Sequence, residues 1–181
     1  MSYKNKNIAR KTCISSACIA LAIVLPFLTG QIPEIGRMLC PMHLPAFLAG
    51  ALCGPYFGAA VGLISPILRG VIFGAPPLYP TGVCMAVELL AYATLFALAL
   101  KILPKRIGGI YVSLLIAVIG GRIVGGIAQA IVYSVGGLGA FGISAFITAY
   151  FVETLPGTIV QFVLIPPTLY ALKRAKIWDF S

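Results

Sequence analysis

HLPAFLAGALCGPYFGAAVGLISPILRGVIFGAPPLYP, residues 43–80, contains one formally charged side chain, Arg69. Two apolar runs, expected at about 39–53 and 57–73, meet at Gly54-Pro55, a strong turn signal. The closing GAPPLYP, residues 74–80, cannot continue a helix, because Pro76, Pro77 and Pro80 supply no N–H and fix φ. Uncharged apolar chain of this length suits hydrocarbon. There every backbone polar group must be satisfied internally, which leaves a helical hairpin as the natural reading.

The rest of the chain has the same character. Of 181 residues, 60% are hydrophobic and 9% charged, and the mean hydropathy is +1.05. Soluble domains carry roughly a quarter charged residues, so a soluble fold lacks the polar surface it needs here. Further spans are expected at about 12–29, 82–100, 108–134 and 144–172. The resulting expectation is an all-α integral membrane bundle of six helices forming a single domain over 1–181. The basic N-terminus followed by an apolar run resembles a signal peptide. No A-x-A site follows, however, so it is read as a retained first span. Pro156 and the pair Pro166-Pro167 are expected to kink the last span.

Charge placement orients the bundle. The formal net charge is +9. Ten of the thirteen basic residues fall in three clusters: Lys4, Lys6, Arg10 and Lys11; Lys101, Lys105 and Arg106; Lys173, Arg174 and Lys176. With six spans, all three lie on one side, the cytoplasmic side under the positive-inside rule, so both termini are cytoplasmic. Five spans would put the terminal clusters on opposite sides. The opposite loops hold Glu34, Arg37 and the nearby Arg69, and Trp178 reads as an interfacial anchor. The chain is thus expected in the cell membrane as a multi-pass protein of the prokaryotic plasma-membrane type. No aromatic-interleaved basic surface accompanies the clusters, so nucleic acid is not an expected partner.

Small residues recur at helix-packing spacing. Gly58 and Gly62 are four apart, as are Gly121 and Gly125. In the first span Ala9, Cys13 and Ala17 form one small-residue row, and Ser16 and Ala20 another. Such rows allow close helix approach, within the bundle or against a partner protein. The five cysteines show no metal-ligand spacing, and His43 is the only histidine, so no metal site is expected.

Charge at membrane depth costs about 2.5–3.5 kcal/mol even on insertion scales, and so requires a reason. Glu88 lies about six residues, roughly 9 Å, below the outer end of its span, with Glu153 and Arg122 deeper in theirs. Met85, Glu88 and Tyr92 share a helical face. Arg122 shares a stripe with Gly125, Gly126, Gln129 and Tyr133, and Tyr150, Glu153, Gly157 and Gln161 share a face of the last span. Two readings stand: a structural ion pair or triad, or a polar pocket of mixed charge for a small polar or zwitterionic molecule. Arg holds carboxylate or phosphate-like groups bidentately, and Glu accepts from hydroxyls, amines or ring N–H groups. His43 is either structural or a substrate contact. Arg69 is either an interfacial anchor or a gate, and Tyr79 is grouped with it. Nucleotide-binding and hydrolase motifs are absent, which leaves Ser65 with His43 as the only conceivable dyad, so the chain is not read as an enzyme.

The layout resembles the substrate-binding S components of energy-coupling factor (ECF) vitamin transporters. The resemblance rests on size, span number, cytoplasmic ends and the segment 43–80, with its G-x-x-x-G-P-x-x-G-x-x-x-G pattern and an Arg at the outer end of the third span. It implies capture of a small water-soluble vitamin or related micronutrient from outside, with no cofactor. It also implies docking on a transmembrane T component with two ATPase subunits, which hydrolyse the ATP. Docking would use Ala9, Cys13 and Ala17, or Ser16 and Ala20. The pocket would be built from the first outer loop and spans 4–6, in agreement with Glu88, Arg122, Gln129, Tyr150 and Glu153. Arg122 favours an acidic compound such as pantothenate, whereas Glu88 and Glu153 favour a B6 vitamer or a thiamine precursor. Tyr79, Tyr92, Tyr133, Phe141 and Tyr150 are candidate stacking residues. The alternative is a secondary transporter of a small polar solute driven by an ion gradient; it is expected to show inverted repeats or broken helices.

Overall fold

A computed structural model describes residues 3–29, 36, 38–104, 106–137 and 142–175, with side chains from residue 7 onward. Glu34, Arg37, Lys105, Phe141, Lys176 and Trp178 lie outside the described residues, and for Lys4 and Lys6 only the backbone is described.

The described chain is all helical. Helix α1 covers Tyr3–Val24 and tightens into a 3₁₀ turn at Leu25–Thr29. Helix α2 is His43–Cys53, α3 is Pro55–Phe73, α4 is Val83–Ile102 and α5 is Ile107–Val135. The last pass is segmented: α6 at Ile143–Ile147, a π-helical turn at Thr148–Val152, then α7 at Leu155–Arg174. Among the described residues, five stretches are long and apolar enough to cross a membrane: Asn7–Leu28, Pro55–Phe73, Leu78–Ile102, Ile107–Val135 and Ile143–Arg174. At 11 residues, α2 is about 16 Å long, half of a hydrocarbon core of about 30 Å.

Two tertiary hydrogen bonds fix the directions of the helices. Cys53 Sγ, at the end of α2, donates to the Lys11 carbonyl at 3.5 Å, so the α2–α3 turn lies level with the basic end of α1. Arg69, near the end of α3, donates from Nη1 to the Ile23 carbonyl at 2.9 Å, level with the other end of α1. Thus α1 and α3 run in the same direction, away from the basic end. The GAPPLYP loop returns the chain into α4, which ends at Ile102, and α5 runs back from Ile107. The last pass then brings Lys173 and Arg174 down to the basic side.

The Arg69 bond has a local cause. In an α-helix the Ile23 carbonyl would take the Phe27 N–H. The 3₁₀ turn diverts that N–H to Val24, and the 3₁₀ partner of Ile23 is Pro26, which has no N–H. Arg69, only 4% exposed, satisfies this orphaned carbonyl and lies 5.5 Å from the Phe27 ring centroid and 5.9 Å from that of Phe73. It acts as a cross-brace between α1 and α3.

Helix α4 is the centre of the bundle, packed against α3, α2 and α5. A Cβ on Gly62 would lie 2.5 Å from the Leu89 carbonyl oxygen, and one on Gly58 would lie 2.6 Å from the Cα of Gly50. Bare backbone at these points lets α2, α3 and α4 touch main chain to main chain. The core lies around Phe47, Phe96, Leu114, Ile165 and Leu169, with Phe47 and Phe96 edge to face at 5.2 Å. The short α2 fills the inner half of the bundle, and the segment before it enters from the outer side. The backbone of Met38 and Leu39 lies against Gly157 of α7, where a Cβ would meet the Met38 oxygen at 2.6 Å.

Candidate functional site

Above α2 the core changes from apolar to polar. His43, the first residue of α2, is 5% exposed, and its Nε2 lies 3.8 Å from Glu88 Oε1 on α4. Its ring packs edge-on to Tyr92 at 5.0 Å. Tyr92, one turn below Glu88, is 2% exposed, and its hydroxyl faces both Glu88 and Arg122. Cys40, held at φ 47°, also faces these two charges, from the segment that leads into α2. A non-glycine residue in this left-handed region is uncommon and marks a backbone constrained by its surroundings.

Arg122 rises from the middle of α5 and is 7% exposed. Its Nη2 donates to the Thr154 hydroxyl at 2.9 Å and also to the Thr158 hydroxyl, and its guanidinium carbon lies 5.0 Å from the Phe151 ring centroid. Both threonines donate in turn to carbonyls four residues back, Tyr150 and Thr154. Their hydroxyl lone pairs are therefore oriented toward the guanidinium. One turn outward from Arg122, a Cβ on Gly125 would come within 2.9 Å of Glu88 Cγ and 3.0 Å of Tyr150 Cε1, so the missing side chain lets both neighbours reach the α5 backbone. Tyr150 donates to Gln129 Oε1 at 2.9 Å and packs on Phe146 at 5.3 Å.

The structure therefore brings His43, Glu88, Tyr92, Arg122, Gln129 and Tyr150 into one polar cluster that rises outward along the bundle, with Gln129 about 10 Å outward of Arg122 on α5. Among the described residues, Glu88 and Arg122 form no ion pair with each other, and Tyr92 stands between them. Glu153 does not join them; it is exposed. The π turn carries the cause, because Glu153 N–H bonds to Thr148 five residues back, and the inward positions become Tyr150, Thr154, Gly157, Thr158 and Gln161. Pro156 opens α7 instead of kinking a continuous helix, while Pro166 and Pro167 do lie inside it. Thr154 and Thr158 were not singled out from the sequence. Their signal was available: two hydroxyls four apart, one turn from Tyr150, on the helix opposite a buried arginine.

The remaining candidates lie apart from this cluster. Tyr79, half exposed, donates to the Val132 carbonyl at 3.1 Å and tethers the loop before α4 to the outer end of α5. Ser65 donates to Val61 within its own helix. Ala9, Cys13, Ser16, Ala17 and Ala20 are all exposed on α1, whereas Ser15, Cys18 and Ala22 face inward.

The family model for the ECF transporter, substrate-specific component, matches residues 10–170. The chain belongs to this family. It is an S component, the non-catalytic subunit that binds substrate, in a multi-pass cell-membrane protein. Membership implies a T component and ATPase subunits as partners. No curated protein and no solved structure matches the chain.

Proposed function

We propose that this S component captures a compact, water-soluble B-type vitamin or related micronutrient from outside the cell, between α4, α5 and the broken last pass. The observation that carries the reading is a pair of opposite charges on either side of Tyr92, Arg122 buried and Glu88 partly buried, that form no ion pair with each other. Burying two charges is costly unless each finds a partner. A ligand that carries an anionic group for Arg122 and hydroxyl or N–H donors for Glu88 completes both. Gln129 and Tyr150 extend the polar surface outward, and His43 supports Glu88 from below. With Glu153 on the outside, one cation faces one anion. That balance favours an acid with hydroxyl and amide donors, such as pantothenate, over a cationic B6 vitamer or thiamine precursor. Delivery inward would use a T component and two ATPase subunits, docked on the exposed row Ala9, Cys13 and Ala17, with Ser16 and Ala20 beside it.

Purification from membranes of cells grown in rich medium, followed by mass spectrometry of the released small molecules, tests the reading. One micronutrient per chain is expected, with thermal stabilisation on its re-addition. Both signals should be lost in Glu88→Gln and Arg122→Gln. A protein that retains no small molecule and is stabilised by none of the water-soluble vitamins would overturn it.

A further inference from the structure

On the opposite half of the bundle, α5 and α7 separate. A groove of about 630 Å³ opens between them, lined by Ile107, Tyr111, Thr158, Phe162, Pro167 and Tyr170, among others. Its walls are almost wholly apolar and open outward from the bundle: Ile107, Tyr170 and the flanking Ile159 and Val163 are each about half exposed or more. The twelve residue steps from Thr158 to Tyr170 span about 18 Å along α7, close to half of a hydrocarbon core of about 30 Å. The groove therefore has the depth of one leaflet.

Its two ends differ. At the shallow end, Ile107 follows Arg106, the N-cap residue of α5, and Tyr170 lies one turn before Lys173 and Arg174. All three basic side chains are exposed. At the deep end is Thr158, whose hydroxyl accepts from Arg122. An apolar channel one leaflet deep with positive charge at its mouth complements a molecule with a hydrocarbon tail and an anionic head. We infer that the α5–α7 groove is a site for an anionic phospholipid of the cytoplasmic leaflet, with its headgroup on Arg106, Lys173 and Arg174 and an acyl chain reaching Thr158. Each basic residue near a membrane surface contributes about a factor of five toward anionic lipid. The three together supply the selectivity, and the groove supplies the residence.

Native mass spectrometry of the full chain, released from detergent containing equal phosphatidylglycerol and phosphatidylcholine, tests the site. Phosphatidylglycerol is expected as the dominant adduct, with its preference reduced at least about tenfold in Arg106→Gln/Arg174→Gln. It should be unchanged in Lys11→Gln, which removes a basic residue on α1. A second variant, Ile159→Trp, fills the groove while leaving the charges, and is expected to reduce retention of both lipids. Equal retention of the two lipids by the native chain would overturn the proposal, as would a preference that survives the double substitution. A dimer whose interface protects the groove would also overturn it, since the occupant would then be a second copy. None of these readouts depends on the vitamin site.

Discussion

The Arg122 guanidinium is bound to Thr154, whose hydroxyl both accepts from Nη2 at 2.9 Å and donates at 2.6 Å to the Tyr150 carbonyl. One side chain on α5 is thereby connected through a hydroxyl to the backbone within the π turn of the last pass.

Replacing Arg122 by Gln removes the charge and leaves both threonines satisfied within their own helix. A hydrogen bond to a charged group contributes about 1.5–3 kcal/mol. A fall in thermal stability of that order is expected, with at least a tenfold loss of retained ligand in the mass spectrum. Thr154→Val/Thr158→Val keeps the charge and is expected to weaken ligand retention less, since the arginine loses its positioning but not its attraction for an anion. Equal loss in both variants would place the threonines in direct contact with ligand.

Arg69→Met keeps much of the apolar contact with Phe27 and Phe73 but leaves the Ile23 carbonyl without a donor. An orphaned buried acceptor costs about 1–3 kcal/mol. The expected outcome is a lower midpoint in thermal-aggregation measurements with ligand stoichiometry unchanged. Loss of ligand at constant stability would instead assign Arg69 to gating.

Gly62→Val drives a branched side chain into the Leu89 carbonyl, where backbone cannot move aside. Overpacking of this kind costs about 1–3 kcal/mol or more, and poor yield in the membrane is the expected sign. Gly108→Ala provides the contrast: its Cβ meets nothing within 4 Å, and helix propensity should make it neutral or stabilising by up to about 1 kcal/mol. Paired thermal-shift measurements check both.

Ala17→Trp places a large ring on the exposed face of α1. Thermal stability and ligand content should be unchanged, while co-purification with the T component and ATPases is lost, together with ATP-dependent uptake in proteoliposomes. Intact co-purification would move the docking surface elsewhere.

Much of the fold was legible because bilayer physics writes it in large letters. Apolar runs and prolines at the turns signalled where the helices lie, but α1 begins at Tyr3, nine residues before the span expected from about residue 12, because its first turns are polar and basic. The brevity of α2 showed in the early Gly54-Pro55 stop. The polar cluster was legible where a residue is expensive to bury, as with Glu88 and Arg122, or shares an uninterrupted helical face, as with Tyr92 and Gln129. Glu153 was misplaced because i+3 and i+4 steps from Tyr150 fit a regular helix equally well. The local π turn that selects Thr154 has no strong residue signature. Hydroxyls that satisfy a buried arginine are inconspicuous in a sequence, since most threonines in helices bond back to their own backbone, as these two also do.

Helix α5 has 29 residues and is about 44 Å long, well beyond the roughly 30 Å of hydrocarbon available. Helix α2, with 11 residues, is far too short to match it. The molecule thus combines a helix longer than the hydrocarbon core with one that spans about half of it. Tilting is one way to accommodate such an excess, with the angle set by packing against neighbouring helices and by interfacial anchors. Because Arg122 sits at the midpoint of that long helix, the seating of α5 on α4 fixes how the arginine presents itself to Glu88.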